Sequence, residues 1–264
     1  MMYWYILMVA ILGLVTFLFI KVSRPAGPCL RVLMYHKVSG NGERDFLTVT
    51  ADQLSTQWKY LKSEGYSPIL FSDLVQFVQQ GKALPPKPVL LTFDDGYKDN
   101  YEVMYPILQH LGMKANIFLV PGYLKQQMHS SDGVYLDLSE IRIMKSSLVE
   151  FGLHSYDHQS YKTLSPEALQ LDIRKTADWL SAQGIPFQPC IAFPYGAYPK
   201  KNPVKYKRFT EALEKSGMVL AFRIGNRLNA MPLKKPLLVQ RLDIRGDDSF
   251  EDFVRLVKKG KAVF

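Results

Sequence analysis

The run Val89-Leu-Leu-Thr-Phe93 carries no charge and stops abruptly at Asp94-Asp95-Gly96. A short apolar stretch of this kind, bounded by Pro88 and a glycine turn, reads as a strand buried on both faces. Such strands belong to parallel sheets covered by helices. In those sheets the chemistry gathers at the carboxyl ends of the strands. Two neighbouring carboxylates on a strand point to opposite sides, which suits two jobs, one a metal ligand and one an acid or base. A solvated turn is the competing reading, because Asp and Gly both favour turns.

The rest of the chain repeats the unit. Leu30 to Tyr35 reads as a first strand and delivers His36 at its end. Thr50-Ala-Asp-Gln53 is a capping box for a helix to about Glu64, stopped by Gly65. Ser67 to Leu70 is a short strand, and Ser72 caps a helix ending near Gly81. After the double aspartate, Asp99 to Leu111 is helical in period, Lys114 to Val120 is a strand, and a polar loop runs through Asp137. Ser139 caps a short helix, Leu148 to Phe151 is a strand, and Ser165-Pro166-Glu167 opens a helix that runs to Gln183. Pro189 to Phe193 is a strand ending at Pro194-Tyr195-Gly196. Tyr206 to Lys215 is helical, Leu237 to Ile244 is a late strand, and Ser249 caps a last basic helix. Strands alternating with helices predict an α/β fold of parallel βαβ units, either a barrel or a doubly wound sheet. His36, Asp94, Asp95, His154, His158 and Tyr195 all fall at strand ends, which favours the (β/α) barrel.

Residues 1–20 contain no charge. A helix of that length spans about 30 Å, the thickness of a bilayer core. Tyr3, Trp4 and Tyr5 lie at one end, and Lys21 and Arg24 follow the other, as in an anchored helix. No basic region precedes the apolar run, so an uncleaved anchor is expected rather than a signal peptide. The expected organisation is an anchor over 1–21, a linker over 22–29 and one domain over 30–264. Lys21, Arg24 and Arg31 would keep that domain cytoplasmic by the positive-inside rule. The 33 Lys and Arg exceed the 24 Asp and Glu, a formal charge of +9. That favours an anionic partner. The cluster Lys200, Lys201, Lys205, Lys207 and Arg208 lacks the aromatic interleaving of a nucleic-acid site, so no nucleic acid is expected. Cys29 and Cys190 show no metal-ligand spacing and are expected to be idle thiols.

His154-Ser-Tyr-Asp-His158 places two imidazoles at i and i+4, on one face if the segment forms a helical turn. With Asp95 they make a His-His-Asp set with open positions, suited to Zn²⁺ or to Co²⁺, Ni²⁺ or Mn²⁺. Thr92-Phe-Asp-Asp-Gly96 together with this histidine motif resembles the NodB-homology polysaccharide deacetylases, carbohydrate esterase family four. Leu33-Met-Tyr-His-Lys-Val38 is similar to the branch that deacetylates poly-N-acetylglucosamine. The resemblance covers about residue 30 to the end. It implies a distorted (β/α) barrel of the NodB-homology type, preceded here by one transmembrane helix.

The resemblance also implies roles. Asp95, His154 and His158 would hold the metal, and Asp94 would be the general base toward the attacking water. The backbone N–H of Tyr195 would help bind the oxyanion. Many members carry an arginine three residues before the motif tyrosine; this chain has Ala192 there. Arg241, in Gln240-Arg-Leu-Asp243, is the candidate to reach Asp94 from the late strand instead. Many members also carry a late histidine that protonates the leaving amine, and no histidine follows His158. His36 is the candidate acid, with His110 and His129 as further candidates if the fold brings them to the barrel mouth. Asp243 is a candidate to orient the acid. Asp157 is left out of the ligand set.

The expected function is therefore removal of N-acetyl groups from N-acetylhexosamine residues of a polysaccharide or lipid-linked glycan. The substrate is expected to be an acetylated amino-sugar glycan, anionic if the basic cluster rims the site. Family resemblance puts the catalytic domain outside the cytoplasm, against the charges that flank the anchor. Two alternatives remain: a cytoplasmic-face deacetylase or deformylase of a lipid-linked sugar, and a catalytically silent glycan-binding membrane protein.

Overall fold

A computed structural model describes residues 28–130, 133–144 and 148–260. The expected anchor over residues 1–21 lies outside them. Among the described residues no helix is long and apolar enough to cross a membrane.

Seven parallel strands close into a barrel. They are β1 (Cys29–Tyr35), β5 (Pro88–Asp95), β6 (Ala115–Leu119), β7 (Val149–Leu153), β8 (Cys190–Ala192), β9 (Leu220–Ile224) and β11 (Val239–Asp243). Closure comes from β1, which pairs with β11 along one edge and with β5 along the other. Two short strands flank this ring. β4 (Ser67–Ile69) adds to the first half of β5, and β10 (Asn229–Ala230) runs antiparallel to the start of β1. A separate parallel pair, β2 (Lys37–Ser39) and β3 (Thr48–Thr50), follows β1.

The barrel is distorted where β4 ends, because β6 takes over the edge of β5 only from Thr92 onward. Asn116, fully buried, closes that notch. Its amide donates to the carbonyls of Ile69 (3.3 Å) and Leu91 (3.1 Å), and its Oδ1 accepts the N–H of Phe71 at 2.7 Å. Backbone groups that a missing strand would have paired are thus satisfied by one side chain.

Helices cover the outside: α1 (Ala51–Ser63), α2 (Phe71–Gln80), α3 (Tyr105–Leu111, entered through one π turn), α4 (Pro121–Gln127), α5 (Leu138–Met144), α6 (Pro166–Ala182), α7 (Pro203–Lys215) and α8 (Phe250–Lys259). All eight residues of β5 are buried, since one face meets the helices and the other the barrel interior. The interior is apolar in its lower part. Phe71, Phe118 and Phe222 pack there with ring centroids 4.8–5.8 Å apart. Gly152 on β7 makes room for that stack, because a Cβ there would sit 2.8 Å from the Phe118 ring.

Several expected elements shift. β9 was not anticipated; Gly217 reads as the end of a helix, and the five strand residues behind it are masked by a long following loop. β2, β3 and β10 are too short to show a period. The expected polar loop to Asp137 contains α4, which opens on Pro121. The helix expected from a Ser72 cap has Leu70 at its N-cap, with the Asp73 side chain accepting the Leu70 N–H. Asp137 rather than Ser139 caps α5, its Oδ1 accepting the N–H of Ser139 and Glu140. β7 extends to Leu153, α7 starts a turn early at Pro203 behind its Asn202 cap, and β1 begins at Cys29, inside the expected linker. No disulfide joins Cys29 and Cys190.

Candidate active site

All seven barrel strands are parallel, so their carboxyl ends share one face, and the chemistry-bearing residues meet there. Asp94 points into the barrel opposite Arg241 of β11. The guanidinium grips it with two hydrogen bonds, Nη1 to Oδ1 at 2.6 Å and Nη2 to Oδ2 at 2.7 Å. Both side chains are almost wholly buried, at 2% and 1% exposure. Arg241 also lies over the Phe118 ring at 5.4 Å. Burial alone would raise the Asp94 carboxyl. The charge and hydrogen bonds of Arg241, with His154 and His36 nearby, overcome that and hold it well below the usual carboxylate range. Arg241 therefore occupies the place expected of it from the late strand.

Asp95 corrects one expectation. Strand alternation should send it away from Asp94, yet its backbone is left-handed (φ 75°). That turn ends β5 and swings the second carboxylate back to the mouth. Its Oδ1 lies 3.5 Å from His154 Nε2 and 3.3 Å from His158 Nε2. Burial, then the charge of Asp94, raises its carboxyl to about 6.

The histidine motif corrects another. Residues 154–158 form no helical turn. Ser155 (φ 64°) and His158 (φ 54°) are both left-handed, and these two reversals, not an i,i+4 face, bring the imidazoles to 4.9 Å between ring centroids. His154 Nδ1 is 3.0 Å from the carbonyl of Ala192. A carbonyl only accepts, so that nitrogen carries the proton and Nε2 keeps its lone pair. Burial pushes His154 down to about 3 and also lowers His158, so both are neutral at pH 7.

The ligand atoms of Asp95, His154 and His158 all lie within 4.8 Å of one another. Asp95 Oδ1 is buried and has no hydrogen-bond partner. It faces two neutral imidazoles, and the Nε2 lone pair of His154 is free to meet it. That arrangement calls for a cation. Ligands about 2.0–2.2 Å from a tetrahedral ion lie about 3.3–3.6 Å apart, and the separations of Asp95 Oδ1 from the two imidazoles, 3.3 and 3.5 Å, match. The residues present therefore fit a divalent metal.

His36 sits on the other side of Asp94, its Nε2 3.9 Å from Oδ2, with 15% of the side chain exposed. The Asn100 side chain donates to its backbone carbonyl at 2.9 Å. Asp243, at the end of β11, is close enough to feel the charge of His36, although burial raises its carboxyl. Tyr195 lies in a 3₁₀ turn (Pro194–Gly196) with φ 58°, and its ring is 4.7 Å from that of His158. His110 and His129 are exposed and stand outside this cluster; His110 ends α3, which returns to the opposite face of the barrel. Asp157 is on the surface beside Lys175. The basic cluster occupies an exposed loop and the first turns of α7.

Two groups escaped the sequence reading. Tyr97, Tyr135 and Tyr123 stack in a column that ends on His158, with centroid separations of 5.3, 4.5 and 5.8 Å. Tyrosines in separate loops gave no spacing to read. Asp172 of α6 holds the histidine loop from below. Its signal was a carboxylate on the helix face that buries Leu169, Ile173, Thr176 and Leu180.

Residues 81–219 match the family model for polysaccharide deacetylases. The chain is 28% identical over 198 residues to YxkH of Bacillus subtilis (strain 168), a protein named as a candidate polysaccharide deacetylase. That match takes in 75% of this chain and 64% of the relative. It is 25% identical over 264 residues to the poly-beta-1,6-N-acetyl-D-glucosamine N-deacetylase of Escherichia coli (strain K12), across 85% of this chain and 38% of that protein. The chain thus spans less than two thirds of the length of either relative. Among solved structures, the Streptococcus pyogenes deacetylase PplD, in complex with acetate, has the same fold. It gives a TM-score of 0.73 at 22% identity, covering 87% of this chain and 98% of that one.

Proposed function

The chain belongs to the polysaccharide deacetylase family, and from that premise we propose that it is a metal-dependent hydrolase of N-acetyl groups on a glycan. Its substrate is an acetylated amino-sugar polymer or lipid-linked glycan built from N-acetylhexosamine. The carrying observation is the convergence of Asp95, His154 and His158 beside the Arg241–Asp94 pair at one barrel mouth. The name of the E. coli relative supports the choice of an N-acetylglucosamine polymer.

Asp95, His154 and His158 would hold the ion, with Zn²⁺ the best match to their donor atoms. When bound, a divalent ion polarises the acetamide carbonyl and acidifies water at the site. Asp94 accepts the proton of the attacking water. Its Oδ2 lies 3.7 Å from His154 Nε2 and 3.9 Å from His36 Nε2, so it faces the space between them. Arg241 fixes that orientation and keeps the carboxylate ionised. An amide nitrogen leaves only when protonated, and His36, across from Asp94, supplies that proton. The Tyr195 N–H is the oxyanion donor, carried by a turn whose ring packs against His158.

The closest competitor is a silent glycan binder, and the bidentate Arg241–Asp94 pair counts against it. It compensates for Ala192 and preserves an ionised base that binding alone has no use for. An anchor over residues 1–21 and an extracytoplasmic barrel complete the proposal. The cations Lys21, Arg24 and Arg31 favour instead a cytoplasmic-face enzyme acting on a lipid-linked sugar, and a reporter fused to the carboxyl end separates the two.

The test is acetate release by the full chain across a panel of N-acetylated glycans, with and without chelator. Chelator-sensitive release that Zn²⁺ restores is the expected result; bound ion with no acetate from any glycan would sink the proposal. A second measurement isolates the acid. His36→Ala should lower kcat by about 100-fold or more while the bound-metal content stays at the wild-type level. Undiminished turnover would remove His36 from the reaction.

A further inference from the structure

The loop from His154 to Tyr161 follows a path the chain does not choose by itself. Ser155 and His158, with φ of 64° and 54°, both occupy the left-handed region. Residues with a Cβ adopt it only where their surroundings impose it. Here a single carboxylate does so. Asp172 of α6 is 4% exposed. Its Oδ1 accepts the Ser155 hydroxyl at 3.1 Å, the Tyr156 N–H at 3.1 Å and the Gln159 side-chain amide at 3.0 Å. Its Oδ2 accepts the Tyr161 hydroxyl at 2.8 Å. Ser155 Oγ in turn accepts the Gln159 N–H at 3.1 Å. The donors come from both sides of His158 and from the residue that follows His154.

We propose that Asp172 is a positioning residue for the metal centre. By collecting these donors it locks the two left-handed reversals that bring His154 Nε2 and His158 Nε2 onto Asp95 Oδ1. The inference rests on the reading of His154 and His158 as ligands. A carboxylate suits this, since it accepts at both oxygens and its charge strengthens each bond. An asparagine of the same shape would have to reverse the Tyr161 bond to keep the three donors on Oδ1, and it would hold them without that charge. The effect should appear in metal geometry and affinity, because outer partners set how ligands are aimed.

The test uses the full chain, metal-free, titrated with Co²⁺ and followed by visible absorption, whose band shape reports ligand geometry. Asp172→Asn should bind Co²⁺ at least tenfold more weakly than wild type and change the spectrum. Circular dichroism of the metal-free variant establishes that it is folded. Tyr161→Phe deletes one of the donors and keeps its ring against Phe193. It should weaken Co²⁺ by a smaller factor, about twofold to tenfold, and it carries the test alone if Asp172→Asn does not fold. A folded variant with wild-type affinity and spectrum overturns the role of Asp172. A wild-type chain that binds no Co²⁺ would instead overturn the metal reading itself, and this proposal with it.

Discussion

Replacing Arg241 with alanine is expected to reduce both turnover and stability severely. The substitution leaves Asp94, at 2% exposure, without the guanidinium that pairs with both its oxygens. Breaking one side of a buried ion pair costs about 3–5 kcal/mol, a large share of a total stability of about 5–15 kcal/mol. Asp94 escapes by taking up a proton, and a protonated carboxyl cannot accept one from water. The loss in kcat should reach about 10²–10⁴-fold. In the wild type the Asp94 carboxyl is depressed, so its stabilising contribution is present above its ordinary value near 3.8 and fades only as pH falls toward the lowered one. Without Arg241 the acid limb of the activity profile should move upward in pH. Arg241→Lys should recover little, because an ammonium cannot reproduce the two parallel bonds. Urea denaturation and acetate release on the same preparation check both effects. The double variant Arg241→Leu/Asp94→Asn should regain stability without turnover. An unchanged midpoint and kcat in Arg241→Ala would refute the importance of the pair.

Stripping the metal is the second large effect, and its stability signature depends on pH. Acetate release should fall to background at every pH. In the metal-free protein the Asp95 carboxyl stands at about 6 against an ordinary 3.8, through burial and the neighbouring Asp94 charge. Because the folded value is the higher one, its stabilising contribution is full below about pH 4 and is lost as pH rises through about 6. A displacement of about two pH units corresponds to about 3 kcal/mol. Above pH 6 a divalent ion takes the place of that proton, whereas at pH 5 it competes with it. His154, held down to about 3 by burial, stays neutral across this range, and burial likewise lowers His158. Added Zn²⁺ should therefore raise Tm by several degrees more at pH 7.5 than at pH 5. Equal shifts at the two values would remove Asp95 from the ligand set.

How much of this was legible depended on whether the signal was local. Val89 to Gly96 and the histidine motif are contiguous, so their strand, their turn and their chemistry could be read together, and the barrel followed from repetition. Arg241 could be named only as a candidate. It meets Asp94 across 147 positions, and nothing short of barrel closure brings β11 beside β5. The orientation of the second carboxylate and the path between the histidines were misjudged for one shared reason. Asp95, Ser155 and His158 take left-handed backbones, which no side-chain period reveals in residues other than glycine. Asp172 was hidden because a lone acid in an amphipathic helix ordinarily faces water.

The phenylalanine stack beneath the ion pair has a consequence for proton traffic. Phe71, Phe118 and Phe222 are fully buried and packed on one another, and Arg241 lies over the Phe118 ring. Apolar packing of this kind offers water no hydrogen-bond partners, so the open mouth is the favoured route for protons. In the proposed reaction, the proton Asp94 would take and the one the departing amine would need both exchange on the solvent side. His36, partly exposed and facing Asp94, stands on that side. The barrel is thus a blind well, and an acid for the proposed reaction belongs at its rim, where His36 stands.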